Sequence, residues 1–143
     1  AKASSKSYVI DMGRGSQAAY SSIPGKRYHQ DERILDLQDW LDGHFSKTLS
    51  VQDLSEHAKL SERTLKRRFK AATGESPIQY IQHLRIEAAK KRLESSQDSV
   101  EKITHQVGYE NFASFIRLFK RFTNMTPSAY RARFSRHNMS TEN

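Results

Sequence analysis

Basic side chains recur at helical spacing in the middle of the chain, and apolar side chains alternate with them. The basic residues are Arg63, Lys66, Arg67 and Lys70, and the apolar ones are Leu65, Phe69 and Ala72. At about 100° per residue, the two sets occupy opposite faces of a helix. A cationic helix face fits the major groove of DNA, where Arg donates paired hydrogen bonds to guanine O6 and N7. Alone, however, such a face is more often ordinary solvated surface.

A second segment with similar periodicity lies nearer the carboxyl end. Its apolar stripe contains Phe115, Phe119 and Phe122, and its outward and flanking positions are Ala113, Ile116, Arg117, Lys120, Ser114 and Arg121. An outward Ile116 has two explanations, apolar contact with a thymine methyl group or a singly exposed side chain. Phe112 is expected to pack at the edge of the core rather than to contact bases.

The two segments belong to an internal repeat. At an offset of 50 residues, Arg67, Phe69, Lys70, Thr73, Pro77 and Tyr80 fall on Arg117, Phe119, Lys120, Thr123, Pro127 and Tyr130. At an offset of 49, Val51 and Leu54 fall on Val100 and Ile103. Matches of this kind indicate that the same helical unit occurs twice.

Each copy has the layout of a short helix, a turn and a second helix, which is typical of a helix-turn-helix. The spacing of apolar residues and the N-cap candidates Ser50, Ser61 and Ser99 indicate where the helices begin. Pro77 and Pro127 suit first helical turns. We therefore expect an all-α fold of about seven helices, with two homeodomain-like helix-turn-helix subdomains joined by a linker helix.

The same pattern predicts how the chain is divided. Residues 31–76 are expected to form the first unit, 77–94 the linker helix and 95–134 the second unit. The recognition helices are expected over about 62–73 and 111–123. Residues 1–30 show no sustained period and are expected to be an irregular linker or the remnant of a preceding domain, with a strand-like run at 8–10. Residues 135–143 are expected to be a disordered polar tail.

Composition limits the partner and the compartment. The formal net charge of +8 favours a polyanionic partner, because clustered cations gain from attraction and from counterion release. The absence of cysteine excludes disulfides, thiolate metal sites and a cysteine nucleophile. No apolar run approaches the roughly 20 residues that a membrane-spanning helix needs, and no secretory leader opens the chain. These features predict a cytoplasmic protein without a membrane partner.

Residues 34–134 resemble the C-terminal DNA-binding domain of AraC/XylS-type bacterial transcription regulators. The segments that carry the resemblance are 54–58 (LSEHA), 60–70 (LSERTLKRRFK), 74–77 (GESP), 84–89 (LRIEAA), 107–109 (VGY), 115–121 (FIRLFKR) and 126–131 (TPSAYR). Two positions depart from the family pattern. Lys59 stands where relatives often have Gly, and a left-handed conformation there costs about 1 kcal/mol. Phe112 and Ala113 stand where relatives often carry polar groups.

The resemblance implies sequence-specific binding of double-stranded DNA and regulation of transcription, with no enzymatic activity, catalytic residue, metal or cofactor. Two recognition helices on one rigid linker suit successive major grooves, which lie about 34 Å apart. The base-contact residues are expected to be Arg63, Lys66, Arg67, Ala113, Ile116 and Arg117. Phosphate contacts are expected from Ser61, Lys70, Ser114, Lys120 and Arg121. Arg68 lies nearer the core flank and is expected to contact phosphate or to form an internal ion pair.

The resemblance also implies partners other than DNA. RNA polymerase is one, since the family regulates transcription. Family members usually carry a separate sensor or dimerisation domain, and residues 1–30 are too short to fold as one. The segments 9–11 and 17–18 resemble the end of an amidotransferase-like sensor, which some relatives carry upstream.

Two other functions fit parts of the sequence. Residues 13–18 (GRGSQA) match the dinucleotide-binding pattern G-x-G-x-x-A, but residues 19–60 offer no second parallel strand, which that fold requires. Basic amphipathic helices also bind anionic lipid surfaces or polyanions without sequence preference. Here the apolar stripes are expected to be used up in the cores of the two units. The six histidines have no spacing typical of a metal site.

Overall fold

The computed structural model describes residue 23 and residues 25–135, which form seven α-helices and no strand. The helices are α1 (Glu32–Asp42), α2 (Val51–Ala58), α3 (Glu62–Thr73), α4 (Pro77–Ser95), α5 (Val100–Gln106), α6 (Phe112–Thr123) and α7 (Pro127–Phe134). The all-α fold expected from the sequence is confirmed. The predicted limits of the two recognition helices and of the linker helix lie within one residue of those observed.

Polar residues define where the helices begin. The N-cap residues are Asp31, Ser50, Ser61, Ser76, Ser99, Asn111 and Thr126. Each N-cap side chain accepts a hydrogen bond from the backbone N–H three residues later, which satisfies a donor that the helix itself leaves free. Pro77 and Pro127 occupy the first turns of α4 and α7, where no backbone N–H is needed.

Two hydrophobic cores, one in each unit, share helix α4. Buried residues of α1, α2 and α3 pack with Tyr80, Ile81 and Leu84 of α4 to form the first core. Buried residues of α5, α6 and α7 pack with Ile86, Ala89 and Leu93 to form the second. The linker helix is therefore part of both units, its first half in one core and its second half in the other.

One large apolar side chain of α4 is exposed. Ile78 is 39% accessible, and Tyr80 is buried in the first core. At about 100° per residue, Ile78 lies roughly 200° around α4 from Tyr80, so the two side chains are on nearly opposite faces of the helix.

The internal repeat is confirmed by the hydrogen bonds that follow each recognition helix. The Thr73 hydroxyl donates to the Phe69 carbonyl and accepts from the backbone N–H two residues later. Thr123 makes the same two bonds in the second unit. Tyr80 packs edge-on against Phe69 with ring centroids 5.2 Å apart, and the corresponding pair in the second unit is 5.6 Å apart. The same architecture thus occurs twice along the chain.

Residues 25–30 contain no helix or strand, and they are attached to the first unit. The Lys26 ammonium donates to the Thr73 carbonyl at 2.9 Å, and Arg27 pairs with Asp42 at 2.5 Å. Ile23 is buried in the first core. The last residues of the segment that the sequence assigns to an irregular linker therefore pack against the first unit.

Several predictions concern residues outside the described range. They are the strand-like run at 8–10, the glycine motif at 13–18, the resemblance to a sensor domain at 9–18, and the tail at 136–143. Ser135 is described and buried, and its N–H donates to the Arg131 carbonyl at 2.9 Å. The polar tail expected from 135 thus begins with a packed residue.

Candidate nucleic-acid interface

A three-residue turn joins α2 to α3 in the first unit. Lys59 lies in the left-handed region with φ of 60°, as its place in the family pattern implies. The backbone N–H groups of Lys59 and Leu60 both donate to the Ser55 carbonyl, and the Ser55 hydroxyl donates to the Leu60 carbonyl. These three hydrogen bonds hold a conformation that costs a residue other than glycine about 1 kcal/mol or more.

The outward face of α3 carries three of the predicted base-contact residues. Arg63, Lys66 and Arg67 are all exposed, whereas Leu65 and Phe69 on the opposite face are buried. Residues three and four apart are neighbours on a helix surface, so the three cations form one row. Within the described residues, none of the three makes a hydrogen bond or an ion pair. Their donors are therefore open to an external acceptor.

Arg68, the next residue along α3, points elsewhere. Its guanidinium donates to both carboxylate oxygens of Asp31, with distances of 2.9 Å from Nε and 2.6 Å from Nη2. The hydrogen bond from Arg68 lowers the pKa of Asp31 below its ordinary value of 3.8. Because Asp31 also caps α1, this pair joins α1 to the recognition helix. Of the two roles expected from the sequence, the structure shows the internal ion pair.

Two residues of the first unit are predicted phosphate contacts. Ser61 is exposed, and its hydroxyl accepts the capping hydrogen bond from the N–H of Thr64 at 3.2 Å. Lys70 is exposed, and its ammonium donates to the Gly74 carbonyl at 3.0 Å, at the carboxyl end of α3. An ammonium group has three donors, so Lys70 can keep this bond while it contacts a phosphate.

The turn of the second unit, residues 107–111, is built on the same plan. The N–H of Tyr109 donates to the Thr104 carbonyl at 3.0 Å. In the first unit, the N–H of Leu60 makes the equivalent hydrogen bond to the Ser55 carbonyl. Gly108 occupies the left-handed position with φ of 110°. A Cβ atom at Gly108 would lie 2.9 Å from the carbonyl oxygen of Ser46, closer than real contacts allow. A close approach of another backbone therefore requires glycine in this turn.

The outward face of α6 differs from that of α3. Ala113 and Arg117 are exposed, and the Arg117 guanidinium donates to the Ser114 hydroxyl at 3.3 Å. Ile116 is half-buried and packs against the second core. Its side chain is therefore only partly open to solvent. Phe112, expected at the edge of the core, is 38% exposed in the first turn.

The predicted phosphate contacts of the second unit lie near both ends of α6. Lys120 and Arg121 are exposed in its last turn, and Ser114 is half-exposed in its first. The N–H of Ser114 donates to the N-cap side chain of Asn111 at 2.8 Å. The second recognition helix therefore begins with an apolar surface and ends with a cationic one, whereas the exposed cations of α3 extend from Arg63 in its first turn to Lys70 in its last.

Sequence reasoning did not single out Arg33 beside the first recognition helix. The Arg33 guanidinium donates to the Lys59 carbonyl at 3.1 Å, so α1 braces the turn that precedes α3. Both side chains are exposed and add two positive charges next to the cationic row. Arg33 is 26 residues from Lys59, and no periodicity within one helix reveals a contact of that range.

In the described part of the chain, no three His, Cys, Asp or Glu side chains lie close enough to hold a metal ion. None of its helices combines the length and the apolarity needed to cross a bilayer. The chemically distinctive surface of this range is the row of exposed cations on α3 with its counterpart on α6.

A duplicated helix-turn-helix with exposed second helices defines a class of DNA-binding domain. A model of the family described as "Helix-turn-helix domain" matches residues 54–133. The chain belongs to this family, the AraC-type helix-turn-helix domains of bacterial transcription regulators.

Curated relatives are regulators of bacterial operons. The MmsAB operon regulatory protein of Pseudomonas aeruginosa is 38% identical over 97 residues, which cover 68% of this chain and 32% of that protein. The raffinose operon transcriptional regulatory protein RafR of Pediococcus pentosaceus is 36% identical over 92 residues, 64% of this chain and 33% of that protein. The chain spans about a third of the length of these two relatives, and 15% of a regulator from Staphylococcus aureus.

Solved structures share the fold. The DNA-binding domain of AdpA, a global transcriptional factor determined in complex with a target DNA, superposes with a TM-score of 0.69. It is 29% identical, and the match covers 71% of this chain and 92% of that one. The C-terminal domain of AraT, a response regulator from Geobacillus stearothermophilus, gives a TM-score of 0.69 at 26% identity, over 72% of this chain and 86% of that one.

Proposed function

We propose that this domain binds double-stranded DNA sequence-specifically, with α3 and α6 in successive major grooves, and that it regulates bacterial transcription. The single observation that carries the proposal is the row of exposed side chains Arg63, Lys66 and Arg67 on the second helix of a helix-turn-helix, which make no hydrogen bond or ion pair with the residues that the structure describes. In this architecture the second helix enters the major groove, and its outward side chains contact base edges.

The size of the linker supports binding by both units at once. Successive major grooves on one face of DNA are about 34 Å apart. Helix α4 has 19 residues and is therefore about 28 Å long. A single chain of this size is suited to an asymmetric site made of two half-boxes, one for each recognition helix.

The two half-boxes are proposed to differ in chemistry. Arg63, Lys66 and Arg67 favour guanine-rich contacts in the first, because Arg and Lys donate to guanine O6 and N7. In the second, Ala113 and Ile116 favour thymine methyl groups, and Arg117 supplies one hydrogen-bonding contact. Ser61, Lys70, Ser114, Lys120 and Arg121 are proposed to contact phosphates, which positions the domain without specifying sequence.

The relatives support a role in transcription, since those named above are operon regulators. The proposed action takes place in the cytoplasm, and the function proposed is not enzymatic. A contact with RNA polymerase is a further proposal that rests on family membership alone.

Selection from a library of random-sequence duplexes tests the proposal. The bound fragments should converge on a site with two conserved blocks. Fluorescence anisotropy with the selected duplex and with a scrambled duplex of equal composition, at increasing salt, then separates specific from nonspecific binding. We expect the selected duplex to bind at least about 1,000-fold more tightly than the scrambled one.

Equal affinity for the two duplexes at every salt concentration contradicts the proposal and favours a nonspecific polyanion binder. A charge control accompanies the test. Arg92 is an exposed cation on α4, and its guanidinium donates to Gln106 at 3.2 Å. Arg92→Ala removes one positive charge from α4 and none from either recognition helix, so it should leave the preference for the selected duplex intact.

A further inference from the structure

Arg85 of α4 contacts both helix-turn-helix units. Its guanidinium donates to two carbonyl oxygens of the loop between α1 and α2, at 2.7 Å from Nε to Phe45 and at 2.8 Å from Nη2 to Lys47. The same group lies 4.9 Å from the centre of the Tyr109 ring, in the turn that leads to α6. One side chain therefore connects a loop of the first unit to the turn that precedes the second recognition helix.

The backbones of the two units also touch at this place. A Cβ atom at Gly108 would lie 2.9 Å from the Ser46 carbonyl oxygen, 3.0 Å from the Ser46 Cα and 3.0 Å from the Arg85 Nε. A cross-unit contact this close leaves no room for a side chain. The junction between the two units consists of Phe45, Ser46, Lys47, Arg85, Gly108 and Tyr109.

The junction is a second connection between units that α4 already joins. A helix alone allows its two ends to bend and twist relative to each other. Arg85 lies near the middle of α4, between Leu84 of the first core and Ile86 of the second. Contacts from this point to both sides oppose movement of one unit against the other. The junction also restrains α6, because the ring of Tyr109 packs against the ring of Phe115 with their centroids 5.8 Å apart.

We infer that Arg85 and Gly108 act as positioning residues that fix the distance and angle between the two recognition helices, so that the domain accepts one spacer length between its half-boxes. This inference rests on the proposed function. Each base pair added between the half-boxes moves the second one by about 3.4 Å and turns it by roughly 35° about the DNA axis. Two recognition helices held at a fixed distance and angle cannot both contact their half-boxes after such a shift.

The test measures binding to the selected duplex and to versions with one or two base pairs inserted or deleted between the blocks. A duplex with only the first block serves as the half-box reference. For the wild-type domain, we expect each single insertion or deletion to weaken binding at least about tenfold. The affinity should approach that of the half-box duplex.

Arg85→Lys and Gly108→Ala are the junction variants. A lysine ammonium cannot match the fork with which Arg85 holds two carbonyls, and a Cβ at position 108 forces Ser46 away. Both variants should bind the altered spacers within about threefold of the selected one, while their affinity for the half-box duplex stays that of the wild type. A general loss of structure would lower half-box binding as well, and loss of the second unit alone would lower binding of the selected duplex to the half-box level. A variant supports the inference only if it still binds the selected duplex more tightly than the half-box duplex.

Two matched controls share the chemistry of these changes but not the junction. Arg92→Lys makes the same substitution on the same helix, where the guanidinium contacts only Gln106 among the described residues. Gly74→Ala likewise places an alanine at a positive φ, here 84°, where the nearest atom to a new Cβ is the Lys26 Nζ at 3.7 Å. Both controls should keep the steep spacer dependence of the wild type.

The outcomes separate this inference from the proposed function. A wild-type domain that selects no sequence at all removes both. A wild-type domain that selects two blocks but binds every spacer equally overturns the inference and leaves the proposed function standing. Junction variants that retain the wild-type spacer profile also overturn it. Arg85→Lys decides the matter alone if Gly108→Ala does not fold.

Discussion

Two adjacent arginines of α3 should have opposite effects when each is replaced by alanine. Arg67 is exposed and, within the described residues, makes no hydrogen bond or ion pair, whereas Arg68 is bound through two donors to Asp31. Both substitutions remove one positive charge from the same helix. We expect Arg67→Ala to weaken specific DNA binding and to leave the stability of the fold unchanged. Arg68→Ala should lower the stability of the fold and leave DNA discrimination unchanged.

The expected magnitudes follow from these contacts. Loss of a paired hydrogen bond to a base costs about 1–3 kcal/mol of specific binding, which is roughly 5- to 150-fold in affinity. A surface substitution without partners changes stability by no more than about 0.5 kcal/mol. Arg68→Ala leaves the Asp31 carboxylate without its ion-pair partner and should lower the melting temperature, whereas discrimination between selected and scrambled DNA should persist.

Fluorescence anisotropy on both duplexes and thermal unfolding followed by circular dichroism measure the two effects. Equal loss of stability in the two variants would refute the assignment of the outward and inward faces of α3. Wild-type affinity of Arg67→Ala for the selected duplex would remove Arg67 from the base-contact set. Arg117→Ala, at the matching position of the second unit, should cost a similar amount of binding.

Three further predictions concern the stability of the fold. Leu65→Ala and Phe119→Ala should each lower the free energy of unfolding by about 2–5 kcal/mol, because each opens a cavity in one core; unchanged denaturation midpoints would contradict the assigned cores. The hydrogen bond from Arg68 lowers the pKa of Asp31 in the folded state, so the pair should stabilise the fold above about pH 4, and its contribution should disappear as the pH falls through the lowered pKa. In denaturation series between pH 2 and 6, Asp31→Asn should therefore reduce the pH dependence, and an unaltered slope would argue against the pair. Lys59→Gly should raise the free energy of unfolding by up to about 1 kcal/mol, since it relieves a left-handed conformation; a lower midpoint would mean that the Lys59 side chain contributes more than the strain costs.

The sequence predicted those features that repeat within one helix or between the two copies. Ser61 at the N-cap of α3, Gly74 at its end and the buried pair of Leu65 and Phe69 all follow from spacing along the helix. The offset of 50 residues predicted that Tyr80 and Tyr130 occupy equivalent positions, and their ring contacts in the structure match. Periodicity carries this information because each helix buries one face and exposes the other.

Features that depend on the path of a loop could not be predicted. Arg85 reaches carbonyl groups 38 and 40 residues away, and Gly108 meets the backbone at Ser46. Every residue has a backbone carbonyl, so the pattern of side chains does not show which carbonyl a given cation will bind. The half-burial of Ile116 has a similar cause, since the width of an apolar stripe depends on how closely the neighbouring helices approach.

The proposed function requires the two recognition helices to occupy neighbouring major grooves on one side of the DNA. Methylation interference at guanine N7, an atom in the floor of the major groove, tests this arrangement most directly. We expect two clusters of interfering positions whose centres are about 10 base pairs apart, the second weaker in guanine contacts than the first. A single cluster, or two clusters half a helical turn apart, would contradict it.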